Sequence, residues 1–194
     1  MTALLIEIRR ALLAILVLAA ITCGAYPLLV TLIAQTTMKH QASGSLLTGP
    51  EGKVLGSALI GQNFTQDRFF HPRPSAAGAG YDASNSGGSN LGPTSKALQE
   101  EIQTRILAYR NLNGLSSDAS VPADAVTASA SGLDPHISAA NARLQIPRVA
   151  KARQLPVETV EALVAAHTRP PVFGIFGESR VVVLELNLAL ERPF

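Results

Sequence analysis

The sequence predicts a single N-terminal transmembrane α-helix followed by an α+β extracytoplasmic domain. Three observations carry this. An uncharged apolar run extends from Ala11 to Ala34, with Arg9 and Arg10 before it and Lys39 behind; about 20 apolar residues suffice to cross a hydrocarbon core of roughly 30 Å. The rest of the chain is polar, and helical and strand periodicities are mixed along it. Arg9 and Arg10 crowd the short N-terminal flank, whereas the far side offers only Lys39 and Lys53 nearby, which keeps the N-terminus in the cytoplasm and sends the domain out.

The organisation that follows is a cytoplasmic tail (1–10), a membrane helix (11–35), a linker (36–52) and an α+β domain (53–194). The apolar run is too long for a signal-peptide core of about 7–15 residues, and the Ala20-Ile21-Thr22 stretch before Cys23 lacks the leucine of a lipoprotein signal. Gly24 and Pro27 inside the run suit a span whose neighbours re-satisfy freed backbone groups. Within the domain, Lys53–Gln62 reads as a strand with glycine bends, and His71–Pro93 as a long irregular segment of the functional kind. Leu98, Ile102, Ile106 and Tyr109 recur at helical spacing behind Pro93-Thr94-Ser95. Val126–Ser131 alternates like a short strand, Ser138 caps a helix, and Pro147 and Pro156 each restart one. Arg180–Leu190 alternates throughout and reads as the clearest strand.

Composition narrows the function. Lys and Arg number 16 against 14 Asp and Glu, Trp is absent and aromatic residues make up 5% of the chain, so neither a phosphate-neutralising surface nor a base-stacking platform is present. The helix pair across 146–166 resembles a helix-turn-helix in outline, but Glu158 and Glu161 open its second helix and the near-neutral charge argues against DNA. The single cysteine excludes an intramolecular disulfide. No nucleophile elbow, zinc-protease helix or phosphate loop occurs, and His40, His71, His136 and His167 have no ligand spacing. We therefore expect no catalytic residue, no metal site and no firmly bound cofactor.

Two compact motifs stand out. In Ser86–Ser95 (SGGSNLGPTS), consecutive glycines can turn backbone N–H groups into an anion-cradling nest, which makes Gly87, Gly88, Ser89 and Asn90 candidates for an anion or partner site; the alternative is a tight turn feeding a helix. In Ser131–Ser138 (SGLDPHIS), Gly132, Asp134-Pro135 and Ser138 build a capped turn, with Asp134 and His136 candidate partner contacts.

These motifs, together with Tyr26-Pro27, Arg73-Pro74-Ser75, IPRVAKAR at 146–153 and VLELNLAL at 183–190, stand in the order found in the C-subunit family of the bacterial Kdp potassium-transporting ATPase, which the chain closely resembles over nearly its whole length. It departs from that pattern at Asp82-Ala83-Ser84-Asn85 and at Ser179 and Val182. The resemblance implies a small, single-span, non-catalytic accessory subunit in the bacterial cytoplasmic (inner) membrane. Its implied partners are the bilayer, a channel-like potassium-translocating subunit and a P-type subunit that hydrolyses ATP. It also implies stabilisation of the assembly and a raised ATP affinity of the pump subunit, with ATP as a shared ligand and Gln145 as the nucleotide candidate. Nucleic acid is not among the implied partners. The alternative is an unrelated membrane-anchored extracytoplasmic binding module.

Overall fold

The computed structural model describes residues 2–191, and contacts divide the chain after Leu46 into two units. The first is one long apolar helical rod, Ala3–Thr37, whose length and composition suit a membrane span. It consists of α1 (Thr2–Ala19), a π-helical turn (Ala20–Ala25) and α2 (Tyr26–Thr37), followed by the short α3 (Lys39–Ala42). Proline lacks an N–H and clashes with the carbonyl four residues back. The wider π turn lies directly before Pro27, with the Tyr26 N–H reaching back to the Ile21 carbonyl, so the rod continues past a residue that would break an ordinary helix. Three of its threonine hydroxyls bond back along the helix: Thr22 donates to Leu18 O at 2.8 Å, Thr36 to Leu32 O at 2.9 Å and Thr37 to Ile33 O at 2.7 Å. That is the arrangement an apolar phase requires.

The second unit holds two small sheets. Strands β1 (Leu46–Thr48) and β2 (Val54–Ser57) form one. The other has the antiparallel order β3 (His136–Ser138), β5 (Arg180–Val182), β4 (Thr168–Arg169), with Ile137 opposite Val181 and Arg169 opposite Arg180. Helix α4 (Lys96–Asn113) starts at Ser95, whose hydroxyl accepts the Leu98 N–H, and stops at Gly114, whose φ of 63° only glycine adopts cheaply. Helices α5 (Ala139–Arg153) and α6 (Val157–Ala166) pair, and α5 packs on the three-stranded sheet. The core between them contains Phe70, Ile137, Ile146, Val149, Val160, Val181, Leu186 and Leu190. Burying one such side chain fully contributes about 1.5–3 kcal/mol.

Four sequence expectations are corrected here. The Arg180–Leu190 segment is not one strand: β5 ends at Val182 and α7 (Val183–Leu190) follows. The composition changes at that boundary, from β-branched Val181-Val182-Val183 to the helix formers of LELNLAL. Among its buried residues Val183, Leu184, Leu186, Asn187 and Leu190, the set 183, 186, 187 and 190 has helical spacing. Pro147 does not restart a helix but lies inside α5, on its exposed face beside Arg143, so the carbonyl it relieves meets water rather than core. The Val126–Ser131 segment forms no strand. Its groups are spent on single bonds, the Ser129 N–H to Pro74 O at 3.2 Å and the Thr127 hydroxyl to Ala123 O at 2.7 Å. The Lys53–Gln62 strand is only Val54–Ser57 long. At Gly56 a Cβ would lie 2.2 Å from Gln62 Nε2 and 2.8 Å from a Leu184 methyl, so a side chain there would displace both side-chain ends.

Candidate functional site

The irregular His71–Pro93 segment folds back on the 129–138 turn, and three motifs far apart in sequence meet there. Arg73 donates to the Asp134 carboxylate at 2.8 Å. The Ser75 hydroxyl donates to Gly132 O at 2.7 Å and accepts the N–H groups of Ala77 and Tyr81. The Gly87 N–H and the Ser86 hydroxyl both reach Ser131 O, at 3.0 and 2.9 Å. Gly61 and Val183 close the hub from other elements, donating their N–H groups to Leu133 O and Pro135 O. Gly132 is required at its centre. Its φ is +66°, and a Cβ there would stand 2.6 Å from both Ala77 N and Ala77 Cβ.

Within this hub the predicted residues take distinct places. Gly87 and Gly88 lie half-buried along Ala130–Gly132, where a Cβ on Gly88 would meet Ala130 O at 2.9 Å. Ser89 and Asn90 are exposed, and Asn90 has a φ of 53°. Gly88 is therefore explained by close backbone approach, whereas a Cβ on Gly87 would meet open space and its N–H is spent on Ser131 O. Helix α4 begins only at Lys96, eight residues beyond Gly88, with its first turn capped by Ser95. Asp134 accepts from the His136 N–H at 3.0 Å and faces His136 Nδ1 at 3.1 Å, in addition to Arg73. Burial opposes its ionisation, but the bonds from His136 and Arg73 overcome that and hold the carboxyl at a pKa of about 2.

Gln145 lies apart from the glycine loop, 1% exposed on the inner face of α5. Its amide donates to His71 O at 3.0 Å and to Asn141 Oδ1 at 2.9 Å, and its oxygen accepts the His71 N–H at 2.7 Å and Arg148 Nη2 at 2.8 Å. An amide side chain has two donors and two acceptor positions, so all four are occupied within the chain. Burial, with the Arg148 charge nearby, holds the His71 imidazole below its ordinary pKa.

This network extends to residues outside the predicted site set. Tyr109 donates to Asn141 Oδ1 at 2.8 Å, and Asp124 receives the Ser138 N–H, the Ser138 hydroxyl and Asn141 Nδ2 within 2.9 Å. Arg148 bonds Asn113 and the Phe69 carbonyl at 3.0 Å. Asn187 on α7 brackets Phe70, accepting its N–H at 2.8 Å and donating to its carbonyl at 2.9 Å. The available signal was Asn141, Gln145 and Arg148 at spacings of four and three, a polar stripe beside the apolar Ala142, Ile146 and Val149. Beside the network runs a cleft of about 510 Å³ lined by Phe64, His71, Arg73, Tyr81, Arg105 and Tyr109. Its arginines are committed, Arg73 to Asp134 and Arg105 to Glu101 at 2.8 Å and to Val126 O. Among the described residues the arrangement is an internally hydrogen-bonded scaffold that presents loops.

Comparison with known proteins places this scaffold. The family model "K+-transporting ATPase, c chain" matches residues 8–192. The chain is 53% identical over 186 residues to the potassium-transporting ATPase KdpC subunit of Mycobacterium tuberculosis (strain ATCC 25618 / H37Rv), covering 96% of this chain and 98% of that protein. It is 54% identical to the KdpC subunit of Nitratidesulfovibrio vulgaris, with 95% and 93% covered, and 51% identical to that of Bradyrhizobium diazoefficiens, with 96% of each covered. With a family model matching residues 8–192 and relatives 51–54% identical covered almost end to end, the chain belongs to the KdpC family, the c chains of K+-transporting ATPases.

Proposed function

We propose that the chain is the non-catalytic accessory subunit of an ATP-driven, high-affinity potassium uptake complex in the bacterial inner membrane. The N-terminus lies in the cytoplasm, one helix spans the bilayer, and the α+β domain works outside. Its task is to stabilise the assembly with a channel-like potassium-translocating subunit and an ATP-hydrolysing P-type subunit. The observation that carries this reading is the convergence of the 73–75, 86–90 and 131–138 motifs on one satisfied hub. Hydrogen bonds that are all closed within the chain suit a scaffold better than a reacting site, which leaves poised groups free. The glycine loop, Asp134 and His136 are then the partner-facing surface.

With the domain on the far side of the membrane from ATP, a raised ATP affinity of the pump subunit arises through assembly. Contact of ATP with Gln145 would require the α5 network to open. The test is co-expression of this chain, tagged, with the two large subunits. Recovery of a stable three-subunit complex whose potassium-stimulated ATP hydrolysis depends on this chain supports the reading. A chain that purifies alone, leaving the other two fully active, overturns it in favour of an independent anchored binding module.

A further inference from the structure

The connection from β4 to β5 projects an apolar tip that the scaffold does not use. Between Pro170 and Gly177 there is no charged residue, and Phe173, Ile175 and Phe176 are 88%, 78% and 66% exposed. Val172 and Phe176 exchange backbone bonds at 2.9 Å, and the Ile175 N–H reaches Val172 O at 3.2 Å. The two residues between, Phe173 and Gly174, have φ of +53° and +74°, the signature of a tight turn that prefers Asn or Gly at both places. A left-handed phenylalanine costs about 1–2 kcal/mol, and exposing its ring forgoes a burial gain of similar size. Neither turn chemistry nor solvation accounts for an aromatic ring there.

We infer that the 170–177 hairpin is a docking anchor that inserts its two phenylalanines into an uncharged apolar socket on another subunit of the potassium-transporting complex; this rests on the subunit reading above. Three features select that occupant. Pro170 and Pro171 carry no N–H, and the N–H groups of Val172, Gly174, Ile175 and Phe176 are bonded within the hairpin, so a dry socket strands little of the backbone. The base of the hairpin carries no excess of positive charge: Arg169 gives both bonds to Glu185, at 2.6 and 2.7 Å, and in sequence Arg180 is matched by Glu178 two residues before it. Tips that insert into anionic lipid combine apolar residues with a collar of excess basic charge, whereas here Arg169 and Arg180 are matched in number by Glu178 and Glu185. A tip of four side chains is also far below the roughly 1,200–2,000 Å² that holds a free-standing pair of proteins, so a second copy is a poor fit. A partner already held by the membrane helix needs only such a small contact, because tethering supplies the effective concentration. Aromatic anchors fixed in advance by a hairpin are what such a contact uses.

The experiment replaces Phe173 with photoreactive p-benzoylphenylalanine in the full chain co-expressed with the two large subunits. In parallel, the double variant Phe173→Ser/Phe176→Ser is carried through the same purification. We expect irradiation to join residue 173 to one of the large subunits. We also expect the double variant to reduce recovered complex about tenfold while the thermal midpoint of the isolated full chain stays within 2 °C of the wild type. Adducts only with lipid, adducts only with a second copy, no adduct, or undiminished recovery of complex would each overturn the inference. If the wild-type chain itself recovers no large subunit, the subunit reading fails first and the anchor fails with it.

Discussion

Replacing Gln145 with alanine removes the side chain that ties helix α5 to the Phe70–His71 segment. Four hydrogen bonds of 2.7–3.0 Å are lost. Two of the partners keep others: Asn141 Oδ1 still receives Tyr109, and Arg148 still holds Asn113 and the Phe69 carbonyl. The His71 N–H and carbonyl lose the partner that each had in Gln145. Each unsatisfied buried group costs about 1–3 kcal/mol. His71 is only half-buried, so water recovers part of this, and the expected total is about 2–4 kcal/mol once the small cavity is added. For a domain of this size that is a fall in thermal midpoint of roughly 5–15 °C. Circular dichroism melts of the full chain in detergent measure it, since there is no tryptophan to follow. A midpoint within 2 °C of the wild type would refute the network. Unchanged stability with lost stimulation of the pump's ATP affinity would instead return Gln145 to a ligand-binding role.

Asp134→Asn should destabilise the domain by about 1–2 kcal/mol at pH 6, the carboxyl's displacement from 3.8 to about 2 discounted for its partial exposure. Because the folded pKa is depressed, the stability is fully present above pH 3.8 and is lost as pH falls toward 2; urea midpoints of both proteins should therefore converge between those values, and a constant gap would contradict the ion pair. Gly132→Ala places a methyl 2.6 Å from buried Ala77 at a left-handed position and should cost about 3 kcal/mol, read as a shifted denaturation midpoint; an unaltered midpoint would show that the hub is slack.

The sequence was most readable where one local rule acted alone. The membrane rod, α4 between Ser95 and Gly114, and the Ser138 cap of α5 all follow from apolar length, a hydroxyl N-cap or a glycine stop. It misled where two periodicities overlapped. Alternation along VVVLELNLAL suits a strand, yet leucine, glutamate and alanine favour a helix, and Asn187 finds its partner on Phe70 only from a helix. Both site motifs were visible as strings, but their meeting was not. The bonds from Gly87 to Ser131 and from Ser75 to Gly132 join residues 44 and 57 positions apart through irregular backbone, which no period encodes. Asp124 and Asn187 escaped notice for the same reason, each being one polar residue whose partners lie elsewhere.

Which side of the membrane the domain occupies decides how this subunit can act, and cysteine labelling measures it directly. With Cys23→Ala as background, single cysteines at the exposed positions Ser43 and Ser117 are treated in intact cells with a membrane-impermeant thiol reagent. Labelling of both without lysis is the predicted result, and leaves assembly from outside as the route to the pump. Protection of both until the cells are opened would contradict it, put the domain in the compartment of ATP, and make Gln145 and the glycine loop the first residues to mutate.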